Sequence, residues 1–188
     1  METFDISKIR LIVGLGNIGL DYARTRHNAG FQLVNKIWES QHGSEWKEQS
    51  SFKSNISTIR VADHPVILCL PNTMMNNSGE AVSAICKYFQ IFAPEVLVCH
   101  DDLDISVGEF KIQLAKGPKV HNGLRSIEKI LKTDNYWRVR IGIENRPVKG
   151  NSSIAGMDYA LGRFTTEEDE MLNKTYEEIV AQLFGKNV

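Results

Sequence analysis

Leu11-Ile-Val-Gly-Leu15 is the first of three short apolar runs that decide the fold, and it ends just before Asn17. The other two runs also end at an amide or an imidazole: Val66-Ile-Leu-Cys-Leu70 precedes Met75 and Asn76, and Val96-Leu-Val-Cys99 precedes His100 and Asp101. In an open α/β sheet, ligands bind at the carboxyl ends of the strands. These residues, with His27-Asn28 and His121-Asn122, therefore predict one site assembled from distant segments.

The rest of the chain alternates strand-like and helical patterns without an internal repeat or a linker. This pattern predicts an α/β fold, a twisted mixed β-sheet flanked by helices, in a single domain over residues 1–188. The predicted elements are a helix over 29–39, a hairpin of 52–61 with 66–70, a helix from Asn77 or Ser78 to Phe89, strands at 110–114 and 138–143, and a helix after Asn122. Thr165-Thr-Glu-Glu168 is the capping box of a last helix, whose acidic residues we expect to face solvent.

Composition narrows the class of protein. The chain has 188 residues, 42% hydrophobic and 24% charged, which is typical of a globular protein. No apolar run is long enough to span a membrane, and the start of the chain does not resemble a signal peptide, so we expect a cytoplasmic protein. Cys69, Cys86 and Cys99 are widely spaced in apolar surroundings, which predicts buried thiols rather than disulfides or a zinc site.

Charge is unevenly distributed along the chain. Residues 108–149 contain ten basic and four acidic side chains, a local balance of +6 in a chain whose net charge is −1. The basic residues are Lys111, Lys116, Lys119, Arg125, Lys129, Lys132, Arg138, Arg140, Arg146 and Lys149. The asymmetry is compatible either with a basic face for a polyanion or with a solvated surface that is merely basic.

Gly14-Leu-Gly-Asn-Ile-Gly19 matches the G-x-G-x-x-G pattern of dinucleotide-binding proteins. That pattern should open a helix and be followed, about 20 residues later, by an acidic residue at the end of a second strand. Here residues 21–27 are polar and irregular, and Glu39 closes a helical stripe. We therefore interpret the glycines as a tight turn that presents Asn17.

His27 and Asp101 are the candidate catalytic pair. A lone histidine is often only structural, but a carboxylate that accepts a hydrogen bond from one ring nitrogen makes the other a better base. No serine or cysteine lies in a nucleophile-elbow pattern, so water is the expected attacking group. The amides of Asn17, Asn76 and Asn122 could hold a carbonyl or a developing oxyanion, which favours acyl chemistry.

Two other interpretations of His100-Asp-Asp-Leu-Asp104 remain open. Its carboxylates could hold a divalent cation, although Asp101 and Asp102 would point to opposite sides of a continuing strand and Asp104 would lie beyond it. Asp102 and Asp104 could instead cap turns.

Four segments resemble the bacterial peptidyl-tRNA hydrolase family, and the likeness covers nearly the whole chain. They are Val13-Gly-Leu-Gly-Asn-Ile-Gly-Leu-Asp-Tyr22 with Thr25-Arg-His-Asn-Ala-Gly30, Pro71-Asn-Thr-Met-Met-Asn-Asn-Ser-Gly79, His100-Asp-Asp-Leu-Asp104, and His121-Asn-Gly-Leu-Arg125. Weaker echoes follow at 138–143 and 159–164.

The resemblance implies hydrolysis of the ester that joins a peptide to the 3′ end of tRNA. It implies that His27 activates water, Asp101 stabilises the working form of His27, Asn17 senses the acylated amino group, and Asn76 lies near the oxyanion. The residues implied to bind substrate or tRNA are Tyr22, Met74, Met75, Asn76, His121, Asn122, Lys111 and Arg140. The expected partner is the acceptor arm and 3′ end of peptidyl-tRNA, and the expected protein is a monomer without metal, cofactor or obligate protein partner.

The chain departs from the family pattern around the tRNA-binding segment. Ile18 replaces a proline, Met74 replaces an aromatic residue, residues 115–120 replace a glycine-rich stretch, and Gln113 stands where a lysine usually grips the tRNA. Lys111, Lys116 and Lys119 are the candidates to compensate. The alternative function is a tRNA-binding relative without turnover, against which the intact His27, Asp101 and Asn76 argue, and a nicotinamide oxidoreductase is the third.

Overall fold

The structure, a computed structural model, describes residues 3–146 and 155–185. The strands are β1 (Leu11–Gly14), β2 (Lys47–Gln49), β3 (Ser54–Val61), β4 (His64–Pro71), β5 (Val96–Ser106), β6 (Phe110–Leu114) and β7 (Trp137–Glu144). The helices are α1 (Ala29–Ser40), α2 (Ser78–Phe89), α3 (Asn122–Leu131), α4 (Gly156–Leu161) and α5 (Thr166–Phe184).

All of these strands form one mixed sheet in the order β2-β3-β4-β1-β5-β7-β6. The four central strands, β4, β1, β5 and β7, are parallel to one another, and the pairs at both edges are antiparallel. The carboxyl ends of the central strands therefore meet at one edge of the sheet. The predicted fold class is confirmed.

Helices cover both faces of the sheet. Leu33, Val34 and Ile37 of α1 share one apolar cluster with Leu172 and Ile179 of α5. On the other face, the apolar stripes of α2 and α3 form a second cluster with the opposite sides of β1 and β5. Because β1 and the first part of β5 are buried on both faces, they show continuous apolar runs rather than alternation.

The predicted capping box is present at the start of α5. The Thr165 hydroxyl accepts a hydrogen bond from the Glu168 amide, and the Glu168 carboxylate accepts one from the Thr165 amide. Glu168 itself corrects the expectation that the acidic residues of this helix face solvent. It is buried and forms a 2.7 Å ion pair with Arg26, so a partner distant in sequence compensates its charge.

The third apolar run also differs from the prediction, because the strand does not stop at Cys99. β5 continues to Ser106 and stays paired with β7 as far as Asp102 before its register shifts. Asp101, Asp102 and Asp104 therefore all lie within the strand. Asp102 is tolerated there because its carboxylate accepts hydrogen bonds from the guanidinium of Arg140 and the amide of Asp104.

Cys69, Cys86 and Cys99 are free and buried, as predicted. Burial raises the pKa of Cys69 to about 12 and that of Cys86 to about 11, which leaves both thiols protonated and unreactive. None of the helices in the described ranges combines the length and the apolar character needed to cross a membrane.

Candidate active site

Polar residues from five parts of the chain gather at the carboxyl edge of the parallel strands. Asn17 follows β1, Asn76 lies in the 3-10 turn Met75–Asn77 after β4, and Asp101 lies in β5. His27 lies in the 3-10 turn Arg26–Asn28 that leads into α1, and His121 precedes α3. The sheet topology thus brings together residues that lie far apart in sequence.

Two adjacent clefts open at this edge, with volumes of about 220 and 250 Å³. Both are lined by His27, Asn122 and Met157. The first cleft also contacts Asp101, His121 and apolar side chains such as Leu103 and Val120. The second is lined by five more of the predicted residues: Asn17, Tyr22, Met74, Met75 and Asn76. His27 therefore lies where an apolar cleft and an amide-lined cleft meet.

The central contact is a 2.9 Å hydrogen bond between His27 Nδ1 and Asp101 Oδ1. Both residues are buried, at 6% and 3% exposed. Burial lowers the pKa of His27, but the charge of Asp101 and the hydrogen bond to it outweigh burial and raise the pKa above its usual value. Burial opposes ionisation of Asp101, yet His27 and His121 hold the pKa of this carboxyl well below its usual range. Asp101 is thus a carboxylate that accepts from His27.

His27 Nε2 makes no hydrogen bond to any group in the described part of the chain. A neutral imidazole that donates from Nδ1 carries a lone pair on Nε2. In the neutral ring this nitrogen can accept a proton, and the hydrogen bond from Nδ1 to Asp101 fixes the orientation of the ring.

Two more histidines surround Asp101. His121 Nε2 lies 3.0 Å from the same Oδ1 atom, and His100 Nδ1 donates to the Asp101 backbone carbonyl at 2.7 Å. His100 is fully buried, and this burial holds its pKa well below the usual value, so it is neutral. One carboxylate therefore lies at the centre of three imidazoles.

Ligand atoms of His27, Asp101 and His121 lie within 4.8 Å of one another, the one such group in residues 3–146 and 155–185. His121 Nδ1, however, accepts hydrogen bonds from the amides of Gly123 and Leu124 at 3.2 and 3.3 Å. The proton of the neutral ring must then lie on Nε2, the atom that would have to bind the metal. The donor set fits a hydrogen-bonded cluster and does not fit a metal site.

Asn17 is held rigidly by paired amides. Its backbone N–H donates to Asn28 Oδ1 and its carbonyl accepts from Asn28 Nδ2, both at 2.9 Å. Its side-chain Oδ1 accepts from the Met75 amide at 2.8 Å. Among the described residues no acceptor pairs with Asn17 Nδ2, so this N–H donor group is available in the amide-lined cleft.

Comparison with known proteins identifies the family. A sequence model described as peptidyl-tRNA hydrolase matches residues 11–185. The peptidyl-tRNA hydrolase of Bdellovibrio bacteriovorus is 41% identical over 168 residues, 87% of each chain, and that of Staphylococcus saprophyticus is 40% identical over 90% of this chain and 86% of its own. This chain belongs to the peptidyl-tRNA hydrolase family.

Solved structures agree with this assignment. The crystal structure of peptidyl-tRNA hydrolase from Acinetobacter baumannii superposes with a TM-score of 0.83 at 33% identity, covering 96% of this chain and 89% of that one. The family resemblance inferred from four motifs is therefore confirmed over the whole fold.

In this member of the peptidyl-tRNA hydrolase family, Lys111 and Arg140 lie apart from the two clefts. They oppose each other in register across β6 and β7. Lys111 is exposed, whereas the guanidinium of Arg140 donates to Asp102 at 2.7 Å and to Gln113 at 2.8 Å, which leaves its side chain 11% exposed. Gln113, the residue that replaces a family lysine, is therefore a partner of Arg140.

Other basic residues of the 108–149 region also divide into those paired with a carboxylate and those exposed to solvent. Arg138 pairs with Glu128 and Arg146 pairs with Glu144, which neutralises both. The exposed cations are Lys111, Lys116, Lys119, Arg125, Lys129 and Lys132, and Lys149 lies outside the described residues. The sequence count overstated the charge available to a polyanion, because it could not show which arginines have acidic partners.

Sequence reasoning missed two features of the site. Met157 and Ala160 of α4 line the clefts, but this six-residue helix has no distinctive pattern in the sequence. The contact of His121 with Asp101 was also missed, although a histidine directly before a helix is a possible cap whose second nitrogen needs a partner.

Proposed function

We propose that this chain hydrolyses the ester between the peptide and the 3′ end of tRNA, using a water molecule activated by His27. The observation that carries the proposal is the 2.9 Å bond from His27 Nδ1 to Asp101, which leaves Nε2 open where the two clefts meet. Family membership supports the substrate class.

The reaction needs no covalent intermediate. His27 Nε2 takes a proton from water as the water oxygen attacks the ester carbonyl carbon. The bond from that carbon to the ribose 3′ oxygen then breaks, and the proton passes from His27 to the leaving oxygen, which gives a free tRNA hydroxyl and a peptide carboxylic acid that loses its remaining proton to solvent. A positioned general base contributes about 10²–10⁴-fold to such a step. Asp101 stabilises the imidazolium that forms.

The amide-lined cleft suits the acyl part of the substrate. Asn76 is exposed and Asn122 half-buried at its edge, so their amide groups are available to the developing oxyanion. Asn17 Nδ2 matches the carbonyl of an acylated amino group, which an unblocked aminoacyl ester lacks. Tyr22 is half-buried and Met74 is 39% exposed, and both offer apolar contact to the acyl part of the substrate. Met75, at 4% exposed, contributes mainly through its backbone amide, which donates to Asn17 Oδ1 and so holds Asn17 in place.

Affinity for tRNA is assigned to the exposed cations near β6 and α3. Phosphate contacts supply binding energy without reading sequence, which suits an enzyme that acts on many tRNAs. A role of Arg140 in this surface, a monomeric state and a cytoplasmic location stay predictions.

Single-turnover cleavage of an N-blocked aminoacyl-tRNA, beside its unblocked counterpart and with chelator present, tests the proposal. We expect rapid cleavage of the blocked species alone. Cleavage of neither, with tRNA still bound, would instead support a binding protein without turnover. Loss of cleavage on adding chelator would contradict the metal-independent mechanism.

A further inference from the structure

His121 lies at the centre of the site but has no part in the reaction described above. Its side chain is 3% exposed, so little of it can contact substrate. It does make hydrogen bonds through both ring nitrogens, one to the start of α3 and one to the catalytic carboxylate. A residue with both contacts connects the orientation of a helix to the electrostatics of the site.

The helix fixes the protonation state of His121. Its Nδ1 accepts from the amides of Gly123 and Leu124, the position and partners of an N-cap side chain. A proton on Nδ1 would face two N–H donors, so neither the cation nor the other tautomer fits this geometry. The ring is therefore neutral with its proton on Nε2, which lies 3.0 Å from Asp101 Oδ1.

Asp101 Oδ1 consequently accepts from two imidazoles, His27 at 2.9 Å and His121 at 3.0 Å. A hydrogen bond to a carboxylate disperses its charge, so each donor weakens the attraction of the carboxylate for the other. The donor from His121 should therefore reduce the proton affinity that Asp101 confers on His27. It also holds the same carboxylate oxygen that His27 contacts.

Asp101 is the charged group that raises the pKa of His27, and the adjacent Arg26 is paired with Glu168. From β5, His100 is neutral and donates to the Asp101 backbone. From α5, burial, Asp169 and Asp101 raise the pKa of Tyr176, which keeps this phenol protonated. From α4, Met157 and Ala160 present apolar atoms to the clefts. Asp101 and its second donor are therefore the described groups that set the basicity of His27.

We propose that His121 is a positioning residue that caps α3 through Nδ1 and, through the Nε2–H this cap enforces, orients Asp101 and limits the basicity of His27. This role rests on the proposed hydrolysis only where catalysis is concerned. It differs from the substrate-binding role implied by the family resemblance, because it acts through Asp101 rather than on tRNA.

Nitrogen-15 NMR of the five histidines tests the tautomer without any variant or substrate. We expect His121 to show an unprotonated Nδ1 and a protonated Nε2 at neutral pH. A protonated Nδ1 or a cationic ring at that pH would overturn the proposal. Failure of the hydrolase assignment would leave this result unchanged, so the two failures are distinguishable.

The variants His121→Asn and His121→Ser test the coupling. Both residues are good N-caps, but neither supplies the imidazole Nε2–H to Asp101. We expect the pKa of His27, followed by NMR titration, to rise by roughly half to one unit, since the carboxylate attracts the His27 proton more strongly. The acid limb of the pH–rate profile should shift upward by the same amount.

His64→Asn is the matched control. His64 begins β4, and its imidazole contacts the Ile9 carbonyl rather than any residue of the site. We expect it to leave the titration of His27 unchanged. An unshifted or lowered His27 pKa in both His121 variants would overturn the proposal. A raised KM for tRNA substrate with an unshifted pH profile would return His121 to a substrate-binding role.

Discussion

Arg26 and His27 are adjacent, equally buried and each paired with a carboxylate, yet they differ in what they leave free. Their side chains are 8% and 7% exposed. Arg26 binds Glu168 at 2.7 Å, and its guanidinium stacks 4.1 Å from the centre of the Tyr159 ring. His27 uses one nitrogen on Asp101 and leaves the other in the clefts. Burial and pairing alone therefore do not distinguish the proposed base from its neighbour, whereas an uncommitted atom facing a cleft does.

His27→Ala removes the proposed base, and it has the largest expected effect of the variants in this comparison. Without the base, single-turnover cleavage of N-blocked aminoacyl-tRNA should fall by at least about 10²–10⁴-fold. The affinity for deacylated tRNA should be unchanged, because the exposed cations remain. His64→Ala serves as the control. Undiminished cleavage by His27→Ala would remove His27 as the base.

Arg26→Met tests the structural role of the Arg26–Glu168 ion pair. It leaves Glu168 buried without its ion-pair partner, which should lower the free energy of unfolding by about 3–5 kcal/mol. Denaturant unfolding measures this loss. Lys53→Met, which removes an exposed pair with Glu80, should cost only about 0–1 kcal/mol. A loss of cleavage in folded Arg26→Met comparable to that of His27→Ala would contradict the division of roles.

Asn17→Asp sharpens the comparison within the amide-lined cleft. The variant keeps an oxygen to accept from the Met75 amide but loses the Nδ2 donor. Cleavage of the blocked substrate should fall about 10–100-fold, the cost of one unmet polar contact. Discrimination against the unblocked substrate should narrow, since a carboxylate attracts its ammonium group. Equal discrimination in variant and wild type would exclude Asn17 from sensing the acylated nitrogen.

Lys111→Gln removes an exposed cation, and Arg140→Gln removes one that is already paired with a carboxylate. Their effects on tRNA binding should be the smallest of those predicted. Removing the exposed Lys111 should reduce the slope of log affinity against log salt by about one unit. Removing Arg140 should reduce it by less, because Asp102 already neutralises that guanidinium. A larger change for Arg140 would show that it leaves Asp102 to bind phosphate.

The sequence predicted the residues whose environment is local. Apolar runs at 11–15, 66–70 and 96–99 predicted the central strands, and the capping box predicted the start of α5. The continuation of β5 through Asp102 and the burial of Glu168 could not be predicted, because their partners Arg140 and Arg26 lie 38 and 142 residues away. The motifs predicted that His27 and Asp101 form a pair. The proposed double role of His121, as the cap of α3 and as a donor to Asp101, depends on where α3 begins.

The most direct test of His27 as the base is the pH dependence of single-turnover cleavage, measured beside the NMR titration of His27. The proposed reaction requires neutral His27, and Asp101 raises its pKa above the usual 6.5. The rate should therefore fall as the pH drops through a midpoint above 6.5 that coincides with the titration of His27. A rate that stays constant while His27 becomes protonated would contradict the mechanism.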